Sequence, residues 1–108
     1  MNNSATLNAG LQLAPAHLVM VQTILADHLP QARVLAFGSR AAGTPRKYSD
    51  LNLAVIQQEP LTLRVISRLK TAFEDSDLPI CVDLVDWNQA DSEFKAMVAK
   101  QGMIELQH

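Results

Sequence analysis

Apolar residues recur at helical spacing early in the chain: Leu18, Val21, Leu25 and Leu29 fall on one face between Pro15 and Pro30. Pro15 suits a first helical turn, where its missing N–H costs nothing, and Pro30 stops the run, so the pattern predicts a helix. The period then switches. Arg33 to Phe37 is a compact apolar run ending in Gly38-Ser39, which reads as a strand entering a turn. Asp50 to Ile56 alternates, with Leu51, Leu53 and Val55 on one face and Asp50, Asn52 and Ala54 on the other. Pro60 opens a second predicted helix in which Leu61, Val65, Leu69 and Phe73 share a face, and Asp75-Ser76-Asp77 with Pro79 ends it. Ile80 to Val85 predicts a third strand, Cys81, Asp83 and Val85 alternating with Val82 and Leu84. A last helix starts near Asp91 or Ser92, carries Phe94, Met97 and Val98, and ends by Gly102.

This order of elements predicts an α/β (α+β) fold, a small mixed β-sheet with helices packed on one side. Residues 1–13 are small and polar and read as a flexible arm, leaving 14–108 as one domain. A length of 108 residues holds one core, and 48% hydrophobic with 19% charged residues is the composition of an ordered globular protein. The formal net charge of −2, from 9 basic and 11 acidic residues, argues against a nucleic-acid backbone as partner. Arg40, Arg46 and Lys47 form a local basic cluster that suits one triphosphate, although for Arg46 and Lys47 a solvated loop is the plainer reading. Cys81 cannot form an internal disulfide, and its apolar surroundings predict a buried strand residue. No run approaches the ~20 apolar residues of a membrane span, and Met1 to Gly10 lacks a secretory pattern, so a cytoplasmic protein is expected.

Chemistry concentrates in Gly38-Ser39-Arg40-Ala41-Ala42-Gly43 and, ten residues after Ser39, in Asp50-Leu51-Asn52-Leu53. Gly38 removes the side chain where a turn must approach phosphate oxygens, Ser39 adds a hydroxyl and an N–H, and Arg40 offsets triphosphate charge. Asp50 and position 52 on one strand face present two hard oxygen ligands to one magnesium. Asp83, on the next strand, completes a three-ligand site if the two strands are neighbours. Taken singly, a Gly-Ser turn is usually just a turn and a strand-start Asp a solvated charge; only their conjunction points to a site. Asp86 reads as a strand-end cap or surface charge, Trp87 as core or a partner anchor, and Met97, Val98, Met103 and Ile104 as core or a docking patch. His17, His28 and His108 have no ligand set nearby and read as surface residues.

Phe37 through Gly43, with Ser49-Asp50-Leu51-Asn52-Leu53-Ala54-Val55, resembles the signature of the minimal nucleotidyltransferases of the DNA-polymerase-β-like superfamily. Val82-Asp83-Leu84-Val85-Asp86-Trp87 is similar to its third motif. The resemblance implies a nucleotidyltransferase fold in which Gly38 and Ser39 hold the β- and γ-phosphates of ATP. It implies Mg2+ on Asp50 and position 52, and Asp83 as the third carboxylate beside an attacking hydroxyl. It also implies a small helical partner of the HEPN class, an RNase toxin to which such proteins are antitoxins, some by transferring AMP to a partner tyrosine.

One residue departs from that pattern. The family carries Asp where this chain has Asn52, and an amide oxygen lacks the charge and bidentate reach of a carboxylate. Two functions follow from the resemblance and this departure from it: AMP transfer to a partner hydroxyl, or neutralisation of the partner by stoichiometric binding with metal chemistry weakened. A small-molecule or RNA nucleotidyltransferase is the poorer reading, because the chain lacks an added acceptor domain and a broad basic face.

Overall fold

The computed structural model describes residues 11, 13–38 and 50–108. Ser39 and Arg40, with Arg46 and Lys47, lie outside the described residues. The chain runs α1 (Pro15–His28), β1 (Arg33–Phe37), β2 (Leu51–Ile56), α2 (Leu63–Asp75), β3 (Val82–Asp86), a 3-10 turn (Trp87–Gln89), α3 (Ser92–Gln101) and β4 (Ile104–Gln107). The strands form one mixed sheet in the order β3-β2-β1-β4. β1 pairs antiparallel with both β2 and β4, whereas β2 and β3 run parallel. Parallel neighbours cannot be joined by a tight turn, and α2 is the crossover that joins these two.

Alternation divides the sheet into two faces. Val34, Ala36, Leu51, Leu53, Val55, Val82 and Leu106 share the main core with Leu18, Val21, Leu25 and Leu29 from α1 and its end, and Leu69 and Phe73 of α2. Each such buried side chain stabilises the fold by about 1.5–3 kcal/mol relative to exposure. Leu11 and Leu13, at the inner end of the expected arm, also pack here. The opposite face carries a smaller cluster of Phe37, Ala54 and Val98, with Val85, Trp87, Phe94 and Met103 half-buried around it. Helices on one side therefore describes α1 and α2; α3 departs from the expectation by covering Phe37 and Ala54 from the other. The Phe37 and Phe94 rings meet edge to face at 5.8 Å.

Local chemistry sets the element ends. The second helix starts at Leu63 rather than at Pro60, because Thr62 is its cap: the Val65 N–H donates to Thr62 Oγ1 at 3.2 Å. Asp91 caps α3 by accepting from the Phe94 N–H at 2.7 Å, and Gly102 ends that helix at φ 104°. The third strand begins at Val82, two residues later than its apolar run suggests.

β4 is an addition to the predicted elements. Ile104 pairs with Ala36 and Glu105 with Leu35, and a shift in register precedes the pairing of Gln107 with Val34. Gln107 Nε2 donates to the Leu29 and Ala32 carbonyls at 2.6 and 3.0 Å, tying this strand to the α1–β1 connection. Arg33 and Glu105 form an ion pair across the two strands. The hydrogen bond from Arg33 holds the Glu105 carboxyl below the usual glutamate range. The pair is solvent-exposed, so it contributes little.

Two outcomes are expected. Leu69→Ala, which empties a fully buried position, lowers stability by about 2–5 kcal/mol in denaturant titration. Arg33→Ala raises the Glu105 pKa, read by NMR titration. Because the folded-state pKa is depressed, the stabilisation from this pair is present above the unfolded glutamate pKa and is lost as pH falls through the folded one. The stability difference between native chain and variant therefore narrows as pH falls below the ordinary glutamate range and closes once Glu105 is protonated in the folded chain.

Candidate active site

β1 ends at Phe37, which pairs directly with Asn52 of β2. The chain leaves the sheet there through Gly38, whose φ of +85° is the left-handed conformation that glycine adopts without penalty. A Cβ built on Gly38 would lie 2.6 Å from Asn52 Nδ2, so the turn closes onto the Asn52 side chain. Glycine is required twice over, by backbone angle and by space.

The neighbouring strand supplies the other half. Asn52 pairs in parallel register with Asp83, as Leu51 does with Val82. The Leu51 N–H donates to the Cys81 carbonyl at 2.9 Å, continuing the ladder toward Asp50. Residues in register across adjacent strands share a face and sit about 4.8 Å apart. Leu51, Leu53 and Val82 face α1 and α2, so Asn52 and Asp83 face away from them. Asp50, two positions before Asn52, falls on that same face. Asp50 and Asp83 are exposed and Asn52 is half-buried.

Structure thus brings Gly38, Asn52 and Asp83 together, with Asp50 at the start of β2. One expectation needs correcting. The alternation of Asp83 with apolar neighbours suggested a carboxylate inside a buried strand; Asp83 is exposed, because β3 is a sheet edge and no helix among the described residues packs on this part of its outer face. The same edge corrects the expectation for Cys81, which is exposed rather than buried.

Asp86 does more than cap. Its Oδ1 accepts from the Asn88 N–H at 3.1 Å and its Oδ2 from the Leu61 N–H at 2.9 Å, fastening the segment before α2 to the end of β3. Position 86 opposite Val55 puts it on the helix side of the sheet. Sequence reasoning gave no sign of the bond to Leu61, which spans 25 residues. Trp87 is half-buried against Phe94, their ring centroids 6.4 Å apart, with Lys95 Nζ 5.7 Å from the Trp87 ring.

Among the described residues, no three His, Cys, Asp or Glu side chains gather into a group that could hold a metal. Beside the Gly38 turn, the polar groups among the described residues are two carboxylates and an amide. Magnesium is commonly held by one or two carboxylates together with substrate phosphates, and Asp50 and Asp83 fit that requirement for one cation. A second cation would find one negative charge too few at Asn52.

The strand order, the glycine turn and the paired polar strand positions agree with the nucleotidyltransferase fold that the sequence resembles. Residues 20–105 match the family described as Polymerase beta, Nucleotidyltransferase, and the chain belongs to it. Over 92 residues it is 46% identical to the probable protein adenylyltransferase MntA of Haemophilus influenzae, covering 85% of this chain and 81% of that protein. A toxin–antitoxin crystal structure with AMP-PNP superposes with a TM-score of 0.68 at 26% identity, covering 82% of this chain and 71% of the other. A mutant MntA–HpeT toxin–antitoxin structure gives 0.68 at 27% identity over the same shares. Chemistry of this family takes a nucleotide substrate and a divalent metal.

Gly38→Ala is expected to cost about 1–3 kcal/mol in chemical denaturation, from the left-handed backbone and the contact with Asn52. In an Asn52→Ala background the contact part disappears, and a double-mutant cycle reads the difference as a coupling between the two positions.

Proposed function

We propose that this chain transfers AMP from ATP·Mg2+ to a hydroxyl, a tyrosine of a HEPN-type helical partner, and so acts as the antitoxin of a toxin–antitoxin pair. The supporting observation is the in-register pairing of Asn52 with Asp83 beside the Gly38 turn. The likeness to the adenylyltransferase MntA and to toxin–antitoxin structures supports the choice of reaction and partner. The reaction runs in the cytoplasm, where ATP and Mg2+ are at hand.

In this reading Gly38 and Ser39 cradle the β- and γ-phosphates and Arg40 offsets their charge. Asp50 and Asp83, with the amide of Asn52, hold the Mg2+, which supplies neutralisation of the phosphate charge. The partner's hydroxyl oxygen forms a bond to the α-phosphorus as the bond from that phosphorus to the bridging oxygen breaks. Pyrophosphate carries off the electron pair, and Asp83, exposed beside the reacting group, accepts the hydroxyl proton. Positioning matters more than covalent chemistry here.

Incubation of the chain and its helical partner with α-labelled ATP is expected to label the partner and add one AMP to its intact mass. Asp50→Asn and Asp83→Asn each reduce the labelling by about 100-fold or more. Absence of label both with the native chain and with Asn52→Asp overturns the reading.

A further inference from the structure

The two outer edges of the sheet are not alike. β4 is four residues long, shifts register against β1 and carries Glu105, ion-paired with Arg33. Short length, an irregular register and charge are devices that keep a free edge from recruiting another strand. β3 is guarded less. It holds unbroken register with β2 over five pairs, from Val82 to Asp86. Of its two charged residues, Asp86 has both carboxylate oxygens engaged by the Leu61 and Asn88 N–H groups, and only Asp83 is exposed.

The ladder shows which backbone groups of β3 are free. The Leu51 N–H donates to the Cys81 carbonyl. Backbone groups of successive strand residues point alternately to the two sides, so those of Cys81, Asp83 and Val85 face β2. The N–H and C=O groups of Val82 and Leu84 point off the edge, where no strand among the described residues meets them. Beside this edge, between the end of α2 and β3, lies a groove of about 430 Å³. Phe73, Leu78, Ile80 and Val82 line it, and it reaches Asp83. A strand laid along β3 would alternate its side chains as β3 does. Residues level with Val82 and Leu84 would send theirs to the α2 side, toward the groove. The residue level with Asp83 would keep its side chain on the outer face, its backbone about 4.8 Å away.

We infer that the free edge of β3 takes an extended segment of the helical partner as a fifth strand, with the acceptor tyrosine level with Asp83 and its neighbours apolar and seated in the groove. This rests on the reading of Asp83 as the residue that accepts the hydroxyl proton. Main-chain hydrogen bonds to Val82 and Leu84 supply affinity without regard to sequence, and the groove supplies selection. Pairing also fixes how far the segment advances, which holds the hydroxyl at Asp83. The occupant is the partner and not a second copy of this chain, because a second copy would set the acidic strand Val82–Asp86 against itself.

The test is amide hydrogen exchange, read by NMR on the full chain alone and with its partner, without ATP. In the free chain the Asp83 and Val85 amides are expected to exchange slowly and those of Val82 and Leu84 fast. With the partner bound, Val82 and Leu84 are expected to slow by about tenfold or more, and Asp83 and Val85 to change little. A complex in which Val82 and Leu84 exchange as they do in the free chain overturns the inference; label passing from α-labelled ATP to the partner in that complex leaves the transfer reading standing. Protection of the same amides as the chain alone is concentrated assigns the edge to a second copy and overturns it as well. If the two proteins do not associate, the docking inference fails, and labelling in the same mixture decides the transfer reading separately.

Discussion

Parallel pairing of β2 with β3 is the constraint on which the rest of the molecule depends. These strands are joined by α2 and can lie side by side only if that helix packs back onto the sheet, which it does through Leu69 and Phe73. Burying Leu51, Leu53, Val55 and Val82 against α1 and α2 leaves the intervening positions no choice but the other face. A slip of one residue in either strand would turn Asn52 or Asp83 into the core, at the cost of an unpaired polar group there. The hydrophobic effect thus sets the position of the polar residues without touching them. Gly38 completes the arrangement from the next strand, at the one place where the sheet allows a turn to close over Asn52.

Much of this was legible in the residues. Period and punctuation located α1, β1 and β2 almost to the residue, because proline and glycine mark their ends and the strands are flanked by turns. The adjacency of Asn52 and Asp83 was a conjecture about which strands adjoin, and the parallel register supplies it. Other features had no local signal. β4 is four residues long, and its pattern of Ile104 and Leu106 alternating with Glu105 and Gln107 is too short to tell from a helix end. Exposure of Cys81 and Asp83 depends on β3 being a sheet edge, a property of strand order that no window of sequence contains. The bond of Asp86 to Leu61 is hidden for the same reason.

Asn52 shows how a family resemblance and a bottom-up reading divide the work. Likeness to an adenylyltransferase at 46% identity carries the family and its general chemistry. It does not carry what a neutral amide does at a position where charge is the usual tool. That question turns on surroundings: the Gly38 turn closed against the amide, and Asp83 in register beside it.

The pairing of β1 with strands on both sides has a bearing on how the protein is made. One neighbour, β2, comes soon after it in the chain, but the other, β4, arrives only with residues 104–107. As the polypeptide leaves the ribosome, the half of the sheet holding Gly38, Asn52 and Asp83 can assemble while the far edge of β1 is still open. An open edge next to apolar Val34 and Ala36 is a template for unwanted strands, and its exposure lasts until the helix Ser92–Gln101 and β4 have been translated. The nascent chain therefore carries the β1–β2–β3 part of the sheet before β4 covers the other side of β1, and any chaperone or partner that meets it early meets that unfinished edge.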